Sequence, residues 1–317
     1  FQEIAYCRSC LSDSFEEILS LGNQHLVGFT HPDKKEEPIY VPLELVLCQG
    51  CKLLQLKYTT NPKLLWNENY GYRSGVNQTM KDELANIVRE IEKTVVLEDG
   101  DIVVDIGAND GTLLKAYSNS GLMRVAYEPS SNIIDPVEEF KIYVDFFDKR
   151  YFLQDFDRKA KVVTAIAMFY DLENPNHFIE DVEAILDSEG IFVIQQNYLV
   201  GMLNQSAFDN IVHEHLEYYS LLSLENLLSR HNLEVFDVSE NDINGGSFRT
   251  YIRFKGAKIN REGGLERVIA MREKEAELGL DQKEIYQKFA ERVKDNAEKL
   301  AVFIRNRVAE GKTIYVY

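Results

Sequence analysis

Between residues 102 and 195, short apolar runs alternate with helical stretches, and this alternation restricts the fold more than any other feature. Ile102-Val103-Val104-Asp105-Ile106 shows no polar alternation. That is the mark of a strand covered on both faces. Arg124-Val125-Ala126-Tyr127-Glu128, Lys141-Ile142-Tyr143-Val144, Val162 to Met168 and Ile191 to Gln195 repeat the pattern. Helices are expected from Thr112 to Tyr117 and from Asn176 to Leu186. Strands separated by helices in this way predict an α/β, doubly wound, Rossmann-like sheet. Its domain is placed at residues 76–260, opening with a helix from Asn77 to Thr94 whose Met80, Leu84, Ile87, Val88 and Ile91 recur at helical spacing.

The rest of that domain has a different texture. Ser223 is expected to cap a short helix from Leu224 to Arg230. Leu233–Val238 and Phe248–Phe254 read as strands joined through Asn241-Asp242-Ile243-Asn244-Gly245-Gly246. Residues 261–317 read as long charged helices followed by a turn and the first apolar residues of a strand, the start of a truncated C-terminal domain. The chain begins with Phe1, so its start is read as trimmed, and no signal peptide is visible. No apolar run approaches the ~18–20 residues that span a bilayer. A cytoplasmic protein is expected, with no membrane partner. The net charge of −17 also argues against nucleic acid, whose phosphates require a basic surface.

All four cysteines fall within residues 1–75, as Cys7-x-x-Cys10 and Cys48-x-x-Cys51. Each pair makes a tight knuckle, and two knuckles make a tetrahedral four-thiolate site suited to structural zinc. The intervening residues, with Pro32, Pro38 and Pro42, look too polar to form a core alone, so metal would supply folding energy. Disulfides or a redox dithiol are the rival readings. The missing secretory signal and the presence of two pairs rather than one count against them.

Val103 to Thr112 combines a strand, a glycine turn and a helix start. A dinucleotide calls for Gly-x-Gly-x-x-Gly. Here Gly107-Ala108-Asn109-Asp110-Gly111 gives Gly-x-x-x-Gly instead. Asp105 lies on the first strand and Glu128 ends the next. An acid in the first position suits an α-ammonium, and one in the second suits ribose hydroxyls. Together they favour S-adenosylmethionine over a nicotinamide cofactor or a plain tight turn. Gly107, Asn109, Gly111, Asp105 and Glu128 are the candidate contacts, with Asp145 or Phe146 near the adenine.

His213-Glu214-His215 follows the fifth strand, on the side where such sheets bind ligands. Histidine is the natural general base near neutral pH. Capping or core-satisfied histidines are the alternative. The segment is not a zincin motif, because Glu217 stands four residues after His213. Asn244-Gly245-Gly246-Ser247 fits a hairpin turn or a substrate loop equally well.

These motifs together resemble the nucleotide-sugar C-methyltransferases of deoxysugar biosynthesis. The resemblance rests on both cysteine knuckles, Tyr70-Gly71-Tyr72-Arg73-Ser74-Gly75, Gly107 to Leu114, Glu214-His215 with Tyr218-Tyr219-Ser220, and Asn244 to Arg249. It implies a zinc domain, a central S-adenosylmethionine domain and a C-terminal Rossmann-like domain beginning near Ile314. It also implies a 4-keto-6-deoxy sugar on a nucleoside diphosphate as substrate. His215 would then take the C3 proton, assisted by Glu214 as orienter or sugar contact, with His213 as a hydrogen-bond donor. Tyr70, Tyr72, Asn244 and Arg249 would contact the substrate. One departure stands out: Tyr170-Asp171 occupies a region where relatives carry a histidine, which points to a different keto sugar or carrier. An O- or N-methyltransferase acting on a related small molecule, or a non-catalytic zinc-ribbon adaptor, would share some of these motifs.

Overall fold

The computed structural model describes residues 1–26, 39–66, 70–134 and 136–315. Pro32, Pro38, the loop residues 67–69 and the end of the expected last strand, Val316 and Tyr317, lie outside the described residues.

A seven-stranded sheet forms the centre. Its strands are β1 (Ile102–Ile106), β2 (Met123–Tyr127), β3 (Phe140–Tyr143), β4 (Ala160–Ile166), β5 (Leu186–Asn197), β6 (Leu233–Asn241) and β7 (Ser247–Phe254), in the order β6-β7-β5-β4-β1-β2-β3. β5, β4, β1, β2 and β3 are parallel, whereas β7 runs antiparallel to both β5 and β6. All five residues of β1 are buried, as its unbroken apolar run requires. β5 is longer than the sequence pattern indicates, because a bulge between Leu186 and Ile191 lets its polar start pair with β4.

The helix Gln78–Thr94 is capped by Asn77, whose side chain accepts from Thr79 N. It buries Leu84, Ile87, Val88 and Ile91. The short helix near residue 224 starts earlier than expected, at Leu221. Ser220 is its cap, and Ser223 is the third helical residue that returns the bond, so the two serines form a reciprocal capping box. Buried Glu275, from the helix Gly264–Leu278, accepts from Leu221 N at 2.7 Å and Leu222 N at 2.8 Å. A carboxylate at a helix N-terminus satisfies two orphan donors at once. That helix is therefore packed against the main domain. The following helix, Lys283–Ala309, buries Tyr286, Phe289, Ala290 and Val293.

The N-terminal region corrects one expectation. Its segment is not too polar for a core: Val41, Leu43, Leu45, Val46 and Leu47 are buried. It needs no separate core, because Leu43, Leu45, Leu47, Leu54 and Leu56 pack into the same cluster as Phe192 and Tyr219 of the main domain. Its strands Phe15–His25, Tyr40–Cys48 and Leu54–Leu56 form a sheet completed by Glu217–Tyr218. The segment just after His215 is thus a strand of the cysteine-bearing sheet, with Leu56 N bonded to Leu216 O. Among the described residues, no helix is long and apolar enough to cross a membrane.

Candidate active site

A cavity of about 750 Å³ opens at the carboxyl ends of β1, β2 and β4. Parallel sheets bind ligands at this edge. One part of its wall is built by Asp105, Gly107, Ala108, Asn109 and Glu128, and a second by Tyr170, Asp171, Asn210, Glu214 and His215. Tyr70 and Tyr72 line it from the segment ahead of the first helix, and Thr59 and Thr60 from the cysteine-bearing region.

The acids of the first wall are held by hydrogen bonds. Asp105 accepts from the Thr164 hydroxyl of neighbouring β4 at 2.6 Å. Burial pushes its carboxyl up to about 7, and the Thr164 bond works against that shift. Glu128 accepts from Asn109 N at 3.0 Å with one oxygen and from Ser130 N at 2.8 Å with the other. Burial raises its pKa too. Gly107, at φ 71°, turns the chain so that Gly107 N and Ala108 N both donate to Tyr127 O. A Cβ there would sit 3.0 Å from Met168 Cγ, so glycine is demanded by both conformation and space. Further along this wall, Phe146 lines the cavity beside Asp145, which the Tyr151 hydroxyl holds at 2.9 Å.

The side chains of the glycine loop perform a task that the sequence did not reveal. Asn109 accepts from Ser74 N at 2.8 Å and donates to Tyr72 O at 3.0 Å. Asp110 accepts from Gly75 N at 2.7 Å, and Asn132 donates to Tyr70 O at 2.8 Å. Three side chains thereby strap the Tyr70–Gly75 backbone across the cavity. A Cβ on Gly75 would stand 2.6 Å from Asp110 Oδ2.

On the second wall, His215 Nδ1 lies 2.9 Å from Asn210 O. A carbonyl only accepts, so this contact puts the proton on Nδ1 and leaves the lone pair on Nε2. The ring packs edge-on against Tyr170, with 4.4 Å between centroids. Burial lowers its pKa to about 4, partly offset by the Asn210 bond, so the imidazole is neutral at pH 7. The group that orients His215 is therefore the Asn210 carbonyl, not Glu214. Asn210 is itself held by Asn197, whose amide donates to its side-chain oxygen at 3.0 Å.

Three expected residues do not reach the cavity. His213 is buried with Nε2 3.0 Å from Val41 O, fixing the N-terminal sheet. Arg249 is buried in an ion pair with Glu83 at 2.7 Å and also bonds Gln195, so its charge is already spent. Gly111, at φ 73°, caps the short helix Thr112–Lys115 beneath the Phe140 ring. Asn244 does line the cavity. The sequence reading missed Asn210, Thr164 and the strapping role of Asp110. Only Asp171 carried a signal, as a departure from the pattern of relatives.

The four cysteine sulfurs all lie within 4.8 Å of one another. Cys7 and Cys51 sulfurs are 3.6 Å apart, and Cys10 and Cys48 sulfurs 3.4 Å. Zn–S bonds of ~2.3 Å in a tetrahedron put sulfurs about 3.8 Å apart, so the donor set fits zinc. Both knuckles are built alike: Leu11 N bonds Cys7 O, Lys52 N bonds Cys48 O, and Leu11 and Lys52 are both left-handed. Gln55 donates to Cys7 Sγ at 3.1 Å, an outer contact of the kind that orients metal thiolates.

Comparison with known proteins agrees with this architecture. A methyltransferase domain family matches residues 72–238. A zinc binding domain family matches residues 7–66, and a C-methyltransferase C-terminal domain family matches residues 242–317. The C-methyltransferase NovU of Streptomyces niveus is 26% identical, over 98% of this chain and 74% of that protein. Among solved structures, the plantazolicin methyltransferase BpumL in complex with a desmethyl analogue and SAH is similar at TM-score 0.43 and 13% identity, covering 57% of this chain and 87% of that one. The magnesium protoporphyrin IX methyltransferase of Synechocystis PCC 6803 with bound SAH is similar at TM-score 0.43 and 11% identity, covering 58% and 90% respectively.

Proposed function

Because the chain belongs to the methyltransferase-domain family, we propose that it transfers a methyl group from S-adenosylmethionine to carbon, on a keto-deoxy sugar carried by a nucleotide. NovU, a C-methyltransferase by name, supports carbon as the acceptor. One observation carries the mechanism. His215, whose Nδ1 contact leaves the lone pair on Nε2, lines the same cavity as Asp105 and Glu128 at the ends of β1 and β2.

In this reading Asp105 receives the ammonium of the methyl donor and Glu128 its ribose hydroxyls. The Gly107–Asn109 backbone gives the donor close approach, and Phe146 packs near its base. The bound sulfonium supplies an already activated methyl group. The chain's own residues then provide proximity and a nucleophile. His215 removes the proton from the carbon next to the ketone, and the resulting enolate is the carbon nucleophile. Tyr70 and Tyr72 close over the sugar from the strap. No lysine or arginine lines the cavity among the described residues, so the sugar ring enters and the diphosphate stays outside. Residues 1–75 supply the zinc centre, residues 76–260 the site for the methyl donor, and residues 261–317 fall within the segment that matches the C-methyltransferase C-terminal domain family. Zinc is structural here, holding the sheet that carries Glu217–Tyr218, and a cytoplasmic setting keeps its thiols reduced.

The test is incubation with S-adenosylmethionine and a 4-keto-6-deoxy nucleotide sugar, followed by mass and NMR analysis. A new C–CH₃ next to the ketone is expected. A methyl on oxygen or nitrogen would replace this reading with an O- or N-methyltransferase.

A further inference from the structure

An enolate needs more than a base. A neutral imidazole removes a ketone α-proton slowly unless the developing oxyanion meets a hydrogen-bond donor. Basic side chains are the usual candidates, yet none lines this cavity among the described residues. The donor must therefore be neutral.

Asp171 sits on the same wall as His215, directly after Tyr170, whose ring packs on the imidazole. Its backbone is fixed by a turn, with its N–H donating to Met168 O at 3.0 Å. Its Oδ1 is sealed from solvent with no hydrogen-bond partner, while the residue as a whole is half-buried and lines the cavity, which leaves the other oxygen to meet a ligand. The groups that act on its charge are Glu214 and Glu217 from the histidine segment, and those it acts on in turn are Tyr70 from the strap, Tyr170 beside it and Tyr218. All are acids or phenols. Arg8, the cation that acts on Glu217, is committed to Gln55, Leu56 and Thr59. An ionised carboxylate left without donors or a counter-ion is costly to bury, so such a group takes up a proton instead. Burial first, then the two glutamates, raise the Asp171 pKa well above the carboxylate range. A carboxylic acid held neutral in this way can donate a hydrogen bond.

We propose that Asp171 is a catalytic residue of this cavity, its neutral carboxylic acid donating a hydrogen bond to the substrate oxygen that becomes the enolate. This rests on the carbanion chemistry of the preceding section. The C–H bond breaks, its proton goes to His215 Nε2, and its electron pair forms the enolate C=C. The enolate carbon then bonds the methyl group as the S–CH₃ bond breaks, leaving the thioether and a restored ketone. The imidazolium releases its proton to water. The Asp171 proton stays on Asp171 throughout.

Two variants test the claim, because asparagine keeps an N–H donor of the same shape whereas alanine does not. Methyl transfer and solvent exchange of the α-proton are measured with the keto sugar. Zinc content and S-adenosylmethionine affinity serve as folding controls. Asp171→Ala is expected to lower both rates ~10²–10³-fold with methyl-donor affinity unchanged, the usual loss for one oxyanion donor. Asp171→Asn is expected to remain within about tenfold of the wild type, a loss of at most about 1.4 kcal/mol. Where the alanine variant loses zinc or methyl-donor binding, Asp171→Leu, which keeps the γ-branched outline of aspartate but has no donor, replaces it. An asparagine variant as slow as the alanine variant would mean that an ionised Asp171 is required, and would overturn the proposal. So would an alanine variant at the wild-type rate. If the wild type itself neither exchanges nor methylates, the carbanion reading fails and this inference with it. Wild-type exchange with an unimpaired alanine variant defeats this inference alone.

Discussion

The two walls of one cavity treat their acids in opposite ways. On the first wall each carboxylate is engaged: Asp105 by Thr164, and Glu128 by two backbone N–H groups. On the second, Asp171 Oδ1 and Glu214 Oε2 are both buried without a partner. A satisfied buried carboxylate organises the backbone around it and keeps its geometry before any ligand arrives. An unsatisfied one costs stability, and proteins keep such groups where chemistry uses them. In the proposed reading, the contrast separates a preformed binding wall from a reactive wall.

The largest expected effect falls on the reactive wall. His215→Gln should lower kcat ~10²–10⁴-fold, the usual contribution of a general base. S-adenosylmethionine affinity, read by calorimetry, should stay unchanged. If both fall together, the walls are not separable.

Glu128→Ala should do the reverse. It leaves Asn109 N and Ser130 N without their acceptor, and losing hydrogen bonds to a charged group costs roughly 1.5–3 kcal/mol. Methyl-donor binding should weaken ~10–100-fold, with a smaller change in kcat once the enzyme is saturated. Calorimetry against saturated turnover checks the split.

Gly75→Ala probes the strap between the walls. Its Cβ would press on Asp110 Oδ2, so the variant should lose ~1–3 kcal/mol in denaturant unfolding. Its KM for the methyl donor should rise as the Tyr70–Gly75 segment lifts. An unchanged KM would mean that the strap only decorates the rim.

The smallest effect concerns pH. The folded His215 pKa is lowered by burial to about 4, below the ordinary 6.5. Between those values the unfolded chain binds the extra proton, so this group's contribution to stability falls as pH drops from 6.5 toward 4. The base itself stays neutral across that window. Donor binding through Asp105, whose carboxyl is pushed up to about 7, carries its own pH dependence, so the His215 limb is read in kcat at saturating donor and sugar. Little change is expected there between about pH 7 and pH 5, with an acid limb near 4. An acid limb near 6.5 in that saturated rate would place the ring in solvent rather than on the buried wall.

The sequence disclosed the walls unequally, for a physical reason. Strand β1 was legible because five consecutive residues are covered on both faces, and Glu128 because it ends the next strand of the same pattern. The cysteine knuckles were legible because each closes within four residues. The Asn109 and Asp110 bonds to Tyr72, Ser74 and Gly75 join residues at least 35 positions apart, and nothing local encodes them. His213 and His215 look alike in sequence, yet one holds Val41 and the other faces the cavity. The assignment depends on where the Glu217–Tyr218 strand joins the N-terminal sheet. Arg249 looked free in sequence because its partner Glu83 lies on a helix 166 residues earlier. Leu43, Leu45 and Leu47 do carry a period-two strand signal, but Pro42 within the strand and the cysteine knuckle at its end read locally as loop.

Proton removal by His215 is tested most directly with a keto sugar bearing deuterium at C3, incubated in ordinary water. The account predicts that the label washes out with the wild-type protein and stays with His215→Gln. A methylated product in which the C3 deuterium survives at full occupancy, or wash-out that ignores residue 215, would contradict it.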